Sequence, residues 1–155
     1  MKTLRELYNL PYDETGFRSG LIQWYNAVID KNVDELDVAD ISRMIRQNIL
    51  TDIAINKAIE LFLCNPYDGE YKDGALLSLL LTIDTSQINK SKLNELNKLL
   101  QLLNNEHKEY DWENNEAKEQ YSQNLSAFET KIAMEWYHKN AVAKHPKRID
   151  RKSVV

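Results

Sequence analysis

The sequence predicts an all-α protein, a compact bundle of about six to seven helices ending in a long C-terminal helix. Three observations carry that expectation. Apolar residues recur at three- and four-residue spacing along most of the chain, the period of one helix face. No run alternates apolar and polar residues as a half-buried strand would. Only four glycines and three prolines interrupt 155 residues, so breaks are few. With 43% hydrophobic and 28% charged residues at that length, the chain is one domain's worth and can bury a core without staples.

Taken in order, Pro11 and the following Tyr-Asp-Glu-Thr-Gly close a short N-terminal segment and open a turn. From about Ser19 to Asp30, Leu21, Ile22, Tyr25, Val28 and Ile29 mark an amphipathic helix. Asp37 reads as the N-cap of the next, with Asp40 favouring its positive end and Ile41, Met44, Ile45 and Ile49 facing inward. Thr51 and Asp52 suit the start of a third, in which Ala54, Ala58, Leu61 and Phe62 share a face that Ile55, Ile59 and Leu63 widen. Asn65-Pro66 ends it, because a residue before proline avoids the α region. Ala75–Ile83 is apolar nearly all round and reads as a central core helix.

The second half changes texture. Thr85 or Ser86 is expected to cap a helix to about Glu109, with Leu93, Leu96, Leu99, Leu100 and Leu103 as its stripe. Tyr110-Asp111-Trp112 bends the chain. A long helix then runs from about Glu113 to Lys139 or beyond, with Tyr121, Leu125, Phe128, Ile132 and Trp136 on one face. The two stripes suit an antiparallel helical hairpin.

Charge is unevenly spread. From Lys139 onward there are six basic residues and one acid, a net +5, which leaves 14 basic and 23 acidic residues before it, a net −9. An acidic body is a poor nucleic-acid binder, since phosphate neutralisation needs lysine and arginine. It is suited to attracting a basic protein. One cysteine excludes an internal disulfide framework. No signal peptide is indicated and no apolar run approaches the length of a membrane span, so the expected location is cytoplasmic.

Residues that carry chemistry are sparse. His107, His138, His145 and Cys64 show no recognised metal-ligand spacing. Cys64 is expected to be a small buried hydrophobe, and His138 to be partly buried near a helix end. The glycines form no phosphate-cradling loop. The reading is therefore of a protein that is not an enzyme and takes no metal or cofactor. What remains is an acidic surface. Asp30, Asp34, Glu35, Asp37 and Asp40 cluster around one helix connection; Asp68, Glu70 and Asp73 cluster in another, interleaved with Tyr67 and Tyr71. Tyrosines beside acids suit a protein contact, because tyrosine offers a large rigid surface with a polar tip. Turn and cap chemistry accounts for the same residues, and on the residues alone it is the favoured reading.

The pattern of residues has a parallel. A Pro11-Tyr12 segment leads to a helix, followed by Leu36, Val38, Asp40, Ile41, Ile45 and Gln47 in a Leu-Thr-Val-x-Asp-Leu-Arg-x-x-Ile-x-Gln frame, with Asp37 and Ser42 in the threonine and arginine places. Ala58, Phe62 or Leu63, and Pro66 follow. Gly69, Gly74, Leu76 and Leu77 then match a Gly-Asp-Phe-Tyr-x-Gly-Asp-Leu-Leu frame, with Ala75 where an aspartate is expected. This order resembles the immunity proteins of bacterial contact-dependent growth inhibition, the CdiI type. The resemblance spans about residues 8–84 of a single domain, followed by a hairpin over 85–139 and a basic tail over 140–155. It implies a helical, non-enzymatic protein that binds the C-terminal toxin domain of a cognate CdiA effector one-to-one and blocks its active site. Such toxins are often nucleases with basic surfaces. The acidic connections supply the toxin-binding candidates, Asp30, Asp34, Glu35, Asp37, Tyr67, Asp68, Glu70, Tyr71 and Asp73, while the resemblance implies that cognate recognition falls on variable loops and the second half; no direct nucleic-acid or membrane partner is expected. A helical adaptor unrelated to toxins has the same composition, and an RNA or DNA binder using the basic tail is the third class.

Overall fold

The computed structural model describes residues 1–16, 18–69 and 73–144, without the side chains of 142–144. The described residues contain seven α-helices, three short 3₁₀ turns and no strand, so the all-α expectation holds, long C-terminal helix included. By internal contacts the chain divides into two compact units, Met1–Ala58 and Ile59–Val155. The division falls inside a helix.

In the first unit, α1 spans Leu4–Tyr8, within the short N-terminal segment to which the sequence reading assigns no element. Thr3 accepts from the Glu6 N–H while the Glu6 carboxylate reaches back, a reciprocal cap that starts even this short helix. Helix α2 covers Gly20–Val28. Its end meets the start of α1: the Leu4 and Arg5 N–H groups donate to the carbonyls of Lys31 and Ile29 at 2.8 and 2.7 Å. Two helix ends thus satisfy each other's orphan groups. Helix α3 covers Val38–Arg46, capped by Asp37 as read. Helix α4, Thr51–Cys64, follows Leu50, whose φ of 46° lies in the left-handed region. Leu4, Val28, Ile29, Leu36, Ile41, Met44 and Ala54 form this unit's core. The expected inward face of α2 is only half realised. Leu21, Ile22 and Tyr25 instead line an open groove of about 670 Å³ with Pro11, Tyr12 and Ile49.

In the second unit, α5 is short, Ala75–Leu80, ending before the expected Ile83. Lys131 donates to the carbonyls of Leu81 and Ile83 at 2.8 and 2.7 Å, a cation placed at the negative end of α5. After a turn at Thr85–Gln87, α6 runs Lys90–Glu106 with Asn89 as its cap, rather than Thr85 or Ser86. Helix α7 runs Asn115–Lys144. The two lie antiparallel: Asn94 of α6 accepts from the Trp136 indole, while His107 beyond its end meets Ser122. Leu93, Leu96, Leu100 and Leu103 face Tyr121, Leu125, Phe128 and Ile132 in a closed core, and Phe62 meets Phe128 edge-on at 5.9 Å. Trp136 sits at the rim, 37% exposed.

Two expectations are corrected. Cys64 is exposed at the end of α4, because a helix end turns its last residue toward whichever side the turn leaves open. His138 is exposed on α7. Residues 145–155 of the basic tail, His145 included, lie outside the described residues. No helix among the described residues is long and apolar enough to cross a membrane.

Candidate functional site

The first acidic cluster is built from caps and an ion pair. Asn32 and Glu35 form a reciprocal cap at 3.0 and 3.2 Å around the turn Val33–Glu35. Asp37 accepts from the Asp40 N–H at 2.8 Å to start α3. Asp40 is buried, ion-paired with Lys31 at 2.6 Å and accepting from the Trp24 indole at 3.4 Å. Asp30 is exposed, yet accepts from the Tyr12 hydroxyl at 2.8 Å and pairs with Arg5 at 3.1 Å. Those bonds, Tyr12's first, hold its carboxyl below the usual carboxylate range. Asp34 stands exposed on the turn. Of the residues read here as binding candidates, Asp30, Glu35 and Asp37 therefore also have structural tasks.

The second cluster is held by rings. Tyr67 stacks on Tyr110 with centroids 4.0 Å apart. Trp112 meets Tyr67 edge-on at 5.6 Å and lies 4.8 Å from Tyr121. Three of the four rings also have a polar anchor: Tyr110 donates to Asp73 at 2.9 Å, Tyr121 to the Pro66 carbonyl at 2.9 Å, and the Trp112 indole to the His107 carbonyl at 2.7 Å. Together they clamp the turn between α4 and α5 onto the connection between α6 and α7. Burial raises the Tyr121 phenol above its ordinary value, and the bond to Asp73 raises that of Tyr110. His107, weighed as a metal ligand, is buried under this cluster. Its Nδ1 faces the Leu103 carbonyl at 2.8 Å, so that nitrogen carries the hydrogen, and Nε2 meets the Ser122 hydroxyl.

The structure thus brings Tyr67, Asp68 and Asp73 onto one turn, with Asp73 exposed and Tyr67 and Asp68 half-buried. The Asp68 carboxylate accepts from the Gly69 N–H at 2.8 Å. Glu70 and Tyr71 lie outside the described residues. The sequence reading missed Tyr110 and Trp112, which it treated as a bend, and placed Tyr121 only in a core stripe. A second connection carrying Tyr-Asp-Trp was the available signal. Among the described residues no three His, Cys, Asp or Glu side chains gather as a metal site would.

The family model of CDI immunity proteins matches residues 6–99, more than half of the chain, and the chain belongs to that family. Its members serve contact-dependent growth inhibition by neutralising a toxin, as the resemblance implied. No curated protein matches the chain. The matched span takes in the first unit from Glu6 onward, the rest of α4, α5 and the first ten residues of α6; Tyr110, Trp112, Tyr121 and all of α7 lie beyond it.

Proposed function

We propose that this chain binds the C-terminal toxin domain of its cognate CdiA effector one-to-one in the cytoplasm and blocks the toxin's active site. It does so without cofactor or catalysis. Family membership over residues 6–99 carries the reading. Charge supports a nuclease as the toxin. The net −9 of residues 1–138 suits a partner whose basic surface holds phosphates, and carboxylates set against that surface imitate its substrate and speed encounter. The contact residues are assigned to two patches taken separately, Asp30, Asp34, Glu35 and Asp37 in one, and Tyr67, Asp68, Glu70, Tyr71 and Asp73 in the other. The second patch is favoured for cognate recognition. There the rings supply rigid contact area, and Tyr110 and Trp112 come from outside the family-matched span.

Co-expression with the cognate toxin domain tests the role: growth is rescued and the two chains co-purify as an equimolar complex. Cell death in both cultures with no complex overturns it. The patch is tested by reversing Asp68, Glu70 and Asp73 to lysine, with circular dichroism as the folding control. Association with the purified toxin slows about ten-fold at low salt and recovers little at high salt, where the native rate itself falls. An unchanged rate moves the interface to the Asp30–Asp37 patch.

A further inference from the structure

The groove of the first unit is held open by its own walls. Leu21, Ile22 and Tyr25 of α2 line it, with Pro11 and Tyr12 from the segment before α2 and Ile49 from the link between α3 and α4. Its volume of about 670 Å³ falls within the range of pre-formed binding sites, about 300–1,000 Å³. The segment carrying Tyr12 is pinned and cannot swing inward to fill the space. Asp13 donates its N–H to the Asn26 side chain at 2.8 Å, and its carbonyl accepts from the same side chain at 2.9 Å. The Tyr12 hydroxyl is tied to Asp30 at 2.8 Å, and the Arg5 guanidinium lies over the Tyr12 ring, 4.9 Å from its centroid. Gly16 closes on Ile22 so tightly that a Cβ there would lie 2.6 Å from its Cδ1. Ile49 stands between Asn48 and Leu50, whose φ values are 57° and 46°. Asn48 ends α3 as a left-handed cap residue does. Leu50 repeats that conformation without glycine's freedom, a strain of the kind that collects at binding sites. Apolar surface is left in water as a result: Leu21 is 36% and Tyr12 42% exposed.

Charge around the groove has one sign. Asp13 and Glu14 line it, and among the described residues no lysine or arginine does. The Thr15 hydroxyl, and after it the Thr15 N–H, hold the Asp13 carboxyl below the usual carboxylate range, so it stays ionised. Beyond Tyr12, Asp30 carries the groove into the first acidic patch. We propose that the groove seats a bulky apolar side chain of the cognate toxin, one that adjoins a lysine or arginine meeting Asp13 and Glu14. The proposal rests on the immunity reading and gives the first patch the apolar anchor that its carboxylates lack. An apolar seat with a charged rim divides the work of an interface: the buried anchor sets dissociation, and the rim charges set encounter. The sign of the rim selects the occupant. A basic toxin is drawn to it, whereas a second copy of this chain brings a net −4 and an anionic lipid surface brings the same sign again.

Surface plasmon resonance of the full chain on the purified toxin domain, beside growth rescue in co-expressing cells, tests this. Leu21→Arg weakens the complex about 30-fold, mostly through faster dissociation. Glu14→Lys slows association several-fold at low salt and little at high salt. Both variants keep the native helical spectrum. If Leu21→Arg loses helix, a second variant decides. Leu21→Cys/Cys64→Ser, carrying a benzophenone at position 21, is irradiated in the complex, and the toxin peptide it captures holds a bulky apolar residue next to lysine or arginine. The groove proposal alone is overturned, with the immunity reading intact, by full affinity in a folded Leu21→Arg or by unchanged association in Glu14→Lys. A photolabel that captures nothing, an acidic toxin segment or a second copy of this chain has the same meaning. A native chain that neither binds the toxin nor rescues growth overturns the immunity reading, and the groove proposal falls with it.

Discussion

In the connection between α2 and α3, carboxylates hold the chain together; in the turn before α5, aromatic rings do. The first has Asp37 as a helix cap, Glu35 closing a turn and Asp40 buried against Lys31. The second has Tyr67, Tyr110, Trp112 and Tyr121 packed ring to ring, with Asp73 held at the edge by the Tyr110 hydroxyl. As sequence the two are near twins, since both are acidic and lie between helices. The difference teaches that density of charge does not identify a binding surface. What the charge is already bonded to decides how much of it a partner can use.

The comparison breaks most visibly at Gly74. Its φ of 83° is left-handed, and a Cβ there lies 2.8 Å from the Tyr121 ring. Its N–H donates to the Tyr67 carbonyl at 2.6 Å, so backbone and rings are locked together. Gly74→Ala combines an unfavourable φ with a clash against a buried ring anchored to Pro66, and should cost about 3 kcal/mol. Thermal or urea unfolding measures it. A cost near zero means that the ring layer is slack and that the turn is not held as described.

Asp40→Ala comes next. It removes the carboxylate half of the α3 capping box, while Asp37 still accepts from the N–H of residue 40, and it takes away the acceptor shared by Lys31 and the Trp24 indole. Because Lys31 keeps about a third of its side chain in solvent, 34%, the expected loss is about 2 kcal/mol, below that of breaking a fully buried pair. The corresponding change in the other region, Asp73→Ala, removes only an exposed bond and should cost about 1 kcal/mol or less. Equal costs at the two positions erase the distinction between the regions.

How much of this was legible follows the range of the forces involved. Asp37 as a cap, most inward residues of α3, α4, α6 and α7, and the break at Asn65-Pro66 rest on neighbours within a turn of helix and were readable; Trp136, expected on the inner face of α7, is exposed, and Ile49, expected inward with α3, lines the open groove. Helix α1 was not, because five residues have no periodicity to show; its capping box at Thr3 and Glu6 was the signal. The early end of α5 depends on Lys131, 48 and 50 residues away, which no local pattern reveals. The candidate surface was legible as composition only. That Asp73 answers to Tyr110, and Asp30 to Tyr12 and Arg5, needed contacts across 37, 18 and 25 residues.

Asp30 gives the smallest effect and the sharpest separation of structural from available charge. Its carboxyl is held below the ordinary range by Tyr12 and then Arg5. A carboxyl whose folded value is depressed adds stability above its unfolded value, near pH 4, and that contribution is lost as pH falls through the lower folded value. Asparagine keeps the shape and the capacity to accept from both donors, so Asp30→Asn isolates the charge. The melting temperatures of native and variant should differ most above about pH 5, and the gap should begin to close near pH 4 and vanish only as pH falls through the lower folded value. Added salt should narrow the gap, since the group is exposed. A gap that persists unchanged into acid means that the hydrogen bonds rather than the ion hold the site. Asp30 is then as free to meet a basic partner as Asp34, and the first patch gains the carboxylate that its neighbours have spent on capping helices.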